Sequence, residues 1–225
     1  ASGYEATVGG GYSNQASGYK ATVAGGGSNT ASGEAATVGG GWDNQANAGY
    51  AAIGGGGGNQ ASNYAAAVGG GTDNQASGLY ATVGGGYFNR AAAITATIGG
   101  GEYISVTGKA ATVAGGSSIT ATGDYATVSG GRFNMASGGD STVGGGANNT
   151  ASDGYATIGG GHSNNATFGD FITIGGGRSN AVSASYGTIA GGGASDPNNP
   201  ATGNRVTDNY GTVGGGGNNQ AGNNN

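Results

Sequence analysis

The sequence predicts an all-β chain wound as a parallel β-solenoid, or β-roll, of about fourteen fifteen-residue coils. Three observations predict it. An aliphatic marker returns at Val8, Val23, Val38, Ile53, Val68, Val83, Ile98, Val113, Val128, Val143, Ile158, Ile174, Ile189 and Val213, and eleven of the thirteen spacings share that one fifteen-residue period. Thr precedes the marker in twelve of the fourteen copies, usually after Ala, which makes the β-prone run Ala-Thr-Val. Gly supplies 58 of the 225 residues and gathers between these runs. A fixed period of this size marks a unit that buries its apolar face only by stacking on its neighbours.

The elements of one coil follow in order. In Ala-Thr-Val, side chains alternate across the strand, so Ala and the marker face inward and Thr faces outward. Gly-Gly then turns the chain, because Gly reaches positive φ at little cost. Six places after the marker stands Asn, as at Asn14, Asn29 and Asn44, with Asn199 filling the place in the longest coil and Ile104 and Ile119 replacing it in two adjacent copies. Ala follows two positions later and is replaced by Val at Val106 and Val182. Such swaps predict a second short strand with inward Asn and Ala columns, the amides bonding along a ladder. Ser-Gly or a relative makes the last corner. At roughly 4.8 Å per coil, the array would extend about 65 Å.

Residues 1–225 read as a single repeat array. One extra residue, Phe168, enters a corner, and nine extra residues lie within 193–208. Turn-rich composition divides the nine between two corners, Ser195 to Asn198 with Pro197, and Asn204 to Asp208. The chain opens at Ala1 and closes at Asn225 inside the phrase, as an excerpt of a longer array would.

Composition excludes several functions. The net charge of −5 comes from scattered residues with no basic run, which speaks against a nucleic-acid partner. Cys is absent, which removes disulfides and thiolate metal sites. No apolar run approaches the roughly 18 residues of a membrane span. His162, the single histidine, sits in a variable corner position and can anchor neither a triad nor a zinc site. Asp43 and Asp73 share a column two coils apart, but Gly58 between them breaks any repeated pair, and the period is wrong for a calcium β-roll. The triple glycines lack the helix that a phosphate loop needs. Neither cofactor, metal nor catalytic residue is expected, and the chain does not read as an enzyme.

The phrase resembles the head repeats of trimeric autotransporter adhesins, which run roughly Gly-x-x-Ser-Val-Ala-Ile-Gly-x-x-Ala-x-Ala. Gly18-Tyr19-Lys20-Ala21-Thr22-Val23 and Asn29-Thr30-Ala31 carry the likeness, with one more Gly at the corner. The resemblance spans all fourteen copies and implies a left-handed parallel β-roll of three chains, extracellular on a bacterial surface, for attachment. Similar Gly-rich arrays also resemble phage tail fibres, so a virion fibre shaft stands as an alternative. A homotrimer is expected on physical grounds too, since one buried Val or Ile per coil is a small return for ordering a whole repeat of backbone.

Contact residues are sought among the aromatics. Tyr50, Tyr80, Tyr125, Tyr155, Phe171, Tyr186 and Tyr210 fall in one column just before Ala-Thr-Val, with Tyr4, Tyr19 and Tyr64 one place earlier. Such rings would cover the coil, pack between chains, or bind host glycans or matrix proteins. The long insertion adds Asp196, Arg205 and Asp208, charged groups able to make directional bonds. A different function, ice binding, would use the outward Thr rank, which Ala52 and Ala67 interrupt.

Overall fold

A computed structural model describes residues 1–196 and 198–222. The chain is an all-β parallel solenoid of about fourteen coils, and among the described residues no α-helix occurs. It divides into two compact units, Ala1–Ala110 and Ala111–Asn225. In the first unit, two-residue strands from Thr7–Val8 to Thr97–Ile98 form one parallel sheet, and Gln15–Ala16 to Ser105–Val106 form a second. In the second unit the corresponding sheets run from Thr112–Val113 to Thr212–Val213 and from Thr120–Ala121 to Gln220–Ala221.

The register is the repeat itself. Thr22 pairs with Thr37 and Val23 with Val38, while Gln15 pairs with Thr30 and Ala16 with Ala31. Single bridges add a third ladder at the corner after the glycines, from Tyr12 to Glu102 in the first unit and from Ser117 to Gly193 in the second. Val23, Val38, Ile53, Val68, Val83, Ile104 and Ile119 are all buried, as are Ala16, Ala21, Val106 and Val182. Val8 and Asn14 are only half-buried, since the first coil is covered on one side alone. All of this burial is complete within one chain, so the coil interior leaves nothing for partner chains to cover.

The Asn column is buried but works differently from a simple amide ladder. Asn29 Nδ2 donates to the Gly25 carbonyl of its own turn at 3.0 Å and to the Gly41 carbonyl of the next coil at 2.8 Å. Its Oδ1 accepts the Asn44 backbone N–H at 3.0 Å. Direct amide-to-amide bonds accompany this in some coils, at 3.1 Å from Asn44 to Asn29. Each Asn is therefore a clamp: its buried amide finds partners in the carbonyls of two glycine turns and so ties one coil to the next, although the Gly41 carbonyl also accepts the Gly27 backbone N–H at 2.9 Å. The clamp requires Gly opposite it. A Cβ on Gly26, at φ 89°, would fall on the Gly41 carbonyl and lie 2.8 Å from Asn29 Nδ2.

Glycine does not carry all the turning. In most coils two corner positions hold non-glycine residues at φ between 50° and 62°, among them Lys20, Ser28, Asp43, Tyr80 and Phe88. Strand residues donate forward, as Thr22 N–H does to the Ala36 carbonyl. The left-handed residues donate backward, Lys20 N–H to the Tyr4 carbonyl and Ser28 N–H to the Tyr12 carbonyl, both at 2.9 Å. The left-handed conformation thus turns an amide to the preceding coil, at a strain of roughly 1–2 kcal/mol for each residue.

The facing of each column is testable by melting. Val83→Asp, which buries an unpaired charge, should cost more than about 3 kcal/mol, whereas Thr82→Asp, at an exposed position, should stay near about 0.5 kcal/mol. Ser141 replaces the inward Ala and its buried hydroxyl lacks a partner, so Ser141→Ala should stabilise by about 1 kcal/mol. Equal melting temperatures for the two Asp variants would reverse the assigned faces.

Candidate functional site

The left-handed corner before Ala-Thr-Val is where the aromatic column sits. Tyr50, Tyr80, Tyr125, Tyr155, Phe171, Tyr186 and Tyr210 all take φ of 58–62° there. Their amides bond backward, Tyr186 N–H to the Asp170 carbonyl at 2.9 Å and Tyr210 N–H to the Ser185 carbonyl at 3.0 Å. With the backbones spaced by the ladder, consecutive rings are brought to one strand spacing.

In the second unit four of these rings form a continuous stack. Tyr155, Phe171, Tyr186 and Tyr210 lie 4.7, 5.2 and 4.8 Å apart between centroids, with interplanar angles of 4°, 7° and 3°. They remain 46–73 % exposed, so the stack presents ring edges and one outer face to water. In the first unit Tyr50, Tyr64 and Tyr80 instead meet edge-on at 5.3 and 5.8 Å, because Tyr64 stands one residue earlier in its coil. Tyr4 and Tyr19, both at that earlier place, stack at 5.8 Å.

A further aromatic group escapes the column reading. Tyr87, Phe88 and Tyr103 come from the corner after the glycines, with Phe88 stacked on Tyr103 at 5.9 Å and Tyr87 edge-on to both. The Tyr87 phenol is raised above its usual pKa, first by desolvation among these rings, then by Tyr103 and by the charge of Asp73. Only the coincidence of Tyr87-Phe88 with Tyr103 one coil later signals this group in the sequence.

The long insertion is not shared between two corners. Arg205–Val206 is the second strand of its coil, paired with Ala181–Val182. Asn204 replaces the expected Asn199 as the clamp, donating to the Gly191 and Gly216 carbonyls at 3.1 and 2.9 Å. All nine extra residues therefore fall in one corner, within Ala194–Gly203, which contains the single turn of 3-10 helix Pro200–Thr202. Pro197 lies outside the described residues. Asp196 is occupied within this loop: its Oδ1 accepts Asn198 N–H at 2.9 Å and its own N–H donates to Thr202 Oγ1 at 3.0 Å. Arg205 points outward from a strand and Asp208 lies at an ordinary corner, so the three charges do not share one loop. Phe168 is 81 % exposed at φ 62°, as an added corner residue should be.

His162 is exposed, with Nδ1 2.9 Å from Ser163 Oγ. Among the described residues no three His, Cys, Asp or Glu side chains converge on a point where a metal would sit, and no helix is long and apolar enough to cross a membrane. Neither any protein-family model nor any curated protein matches this chain.

Deleting Ser195–Gly203 joins Gly193-Ala194 to Asn204 and restores the fifteen-residue period. Ala194 N–H already makes the backward bond to the Arg178 carbonyl, at 3.0 Å, that this corner position makes elsewhere. The trimmed protein is expected to melt within about 4 °C of the parent, a change of roughly 1 kcal/mol in a chain of this size. Loss of cooperative melting would show that the loop holds its coils together.

Proposed function

We propose that the chain is a non-enzymatic adhesive segment of an extracellular fibre, attached to a cell surface or a virion, whose exposed aromatic stack makes contact with host glycans or matrix proteins. The observation that carries this reading is the placement of Tyr155, Phe171, Tyr186 and Tyr210. These are large, exposed rings at left-handed positions, where Asn or Gly would be less strained and would serve the coil as well. The same corner accepts Glu5, Lys20, Ala35 and Thr95 at nearly the same φ, so the coil itself does not call for aromatic rings there, and four in succession point to work done at the surface. Exposed, rigid aromatics lose little conformational entropy on binding and dominate many contact surfaces. The likeness to trimeric autotransporter head repeats supports the same reading, including association of three chains through surfaces outside the filled coil interior.

Replacing Tyr155, Phe171, Tyr186 and Tyr210 together by Asn tests it. The variant should melt within a few degrees of the parent, since relief of strain offsets lost stacking of about 0.5–1.5 kcal/mol per ring pair. Its attachment to cultured cells and to glycan- or matrix-coated surfaces should fall at least tenfold, and sedimentation of the parent should show three chains per particle. Undiminished attachment by a folded variant would overturn the role of the stack.

The alternative with a specific observation behind it is ice binding. In the second unit the Thr rank is unbroken over Thr112, Thr127, Thr142, Thr157, Thr173, Thr188 and Thr212. The adjacent aromatic column roughens that face. The adhesive reading expects no thermal hysteresis in the purified protein, and a measurable gap between melting and freezing points would favour ice instead.

A further inference from the structure

Beside the second sheet of the first unit, a cleft of about 240 Å³ opens over Gly58. Its neighbours in the same column are Asp43 and Asp73, one coil to either side. Gly58, at φ 64°, supplies no side chain, and a Cβ there would meet Asp73 Oδ1. The missing side chain therefore makes the opening and lets the Asp73 carboxylate lean into it. A second hollow of about 290 Å³ adjoins through Asp73 and Gln75 and is lined further on by Phe88 and Arg90.

The floor of the cleft carries a polarised row of amides. Arg90 Nε donates to Gln75 Oε1 at 2.9 Å, and Gln75 Nε2 donates to Gln60 Oε1 at 2.8 Å. The direction of this row follows from chemistry, because a guanidinium only donates and so determines which end of Gln75 faces it. Gln60 accordingly turns its amide oxygen away to Gln75 and has its NH2 group left to offer. Among the described residues the carboxylates of Asp43 and Asp73 have no hydrogen-bond or ion-pair partner.

We propose that this cleft is a binding site for one neutral sugar unit of a surface glycan. Deepening the attachment reading, it rests on that reading for its biological context and names the ligand class. A ligand here must donate to two carboxylates whose backbones stand two coils apart and accept from an amide N–H between them, and hydroxyls spread around one sugar ring do both. An anion is opposed by Asp43 and Asp73. A divalent cation needs convergent oxygens, but the oxygens of Gln60 and Gln75 are already engaged and N–H groups stand in their place. The volume lies below the roughly 300 Å³ at which sites for drug-sized ligands begin, which suits a single small ring, and Phe88 offers an apolar face to the next unit of a chain. Affinity for one unit is expected to be weak, on the order of millimolar, and repeated display on a coated surface would raise it through multivalency.

The test is an NMR titration of the full chain, following the side-chain NH2 signals of Gln60 and Gln75. The probes are the methyl glycosides of glucose, galactose, mannose and N-acetylglucosamine, with sialyllactose and calcium chloride as the anionic and cationic comparisons. At least one neutral glycoside should shift the Gln60 signals in a saturable way. Gly58→Asn should abolish the shift by filling the cleft, and it should fold, since Asn148 and Asn218 hold the same corner position at φ 56° and 59°. Asp73→Asn, which leaves the opening in place, should weaken binding at least about tenfold. No saturable shift with any neutral glycoside, a response to calcium alone, or unchanged titration in both variants would overturn the site. The two proposals fail separately: a parent that titrates with glycosides but does not adhere keeps the cleft and loses the attachment reading, while adhesion without titration does the reverse.

Discussion

Everything in this chain depends on the backbone hydrogen bonds between successive coils. Each coil contains only two short strands, and these do not pair with each other but with the same residues of the coils before and after. Each amide must therefore find its partner one repeat away, and the period is held constant because any other length inside the ladder would break the register. Length can change only at a corner, which is where Phe168 and the loop within Ala194–Gly203 are accommodated. The Asn clamp and the left-handed corners serve the same constraint. One ties the glycine turns of two coils together through a buried amide, and the other turns an amide backward to the preceding coil.

The parts of this fold legible in the sequence are those where a column carries one kind of residue for a reason that the period exposes. Val23, Ala21 and Ala16 are inward because only small or aliphatic residues fill a thin core, and Thr22 is outward because it alternates with them. Asn29 can be placed as buried for the same reason, although its bonds to Gly25 and Gly41 do not follow from spacing alone. The lengthened coil misleads at Asn199 because two Asn residues compete for one place, and a strand as short as Arg205–Val206 gives no pattern by which to choose. Only the carbonyls of Gly191 and Gly216 decide in favour of Asn204.

The left-handed corners are illegible for a different reason. Glycine advertises positive φ, whereas Tyr186, Asp43 and Lys20 do not, and here they adopt it because the ladder requires an amide to point backward at that place. Backbone conformation at these positions is dictated by neighbours one coil away and not by the residue itself. The same independence frees the side chain: Glu5, Lys20, Ala35, Tyr50 and Thr95 all occupy one corner with nearly the same φ. The aromatic column and the Asp43–Gly58–Asp73 column do follow from the period, but that the rings stack and that the missing side chain opens a cleft are relations between side chains that spacing alone does not give.

That separation of backbone from side chain shapes where function can be written. A core column tolerates few substitutions, because Val, Ala and Asn are enclosed by both neighbours, and so it carries little that is specific. A corner column is a row of nearly interchangeable positions at the strand spacing of roughly 4.8 Å, and its content in each coil is read beside that of the next. Four rings in succession become a stack because the ladder sets them at the distance at which aromatic faces meet. One Gly between two Asp residues becomes a cleft because the ladder holds those Asp residues apart whether or not anything lies between them. In this architecture the absence of a side chain is as informative as its presence, and a surface site is built by varying single letters in a phrase whose backbone does not respond to them.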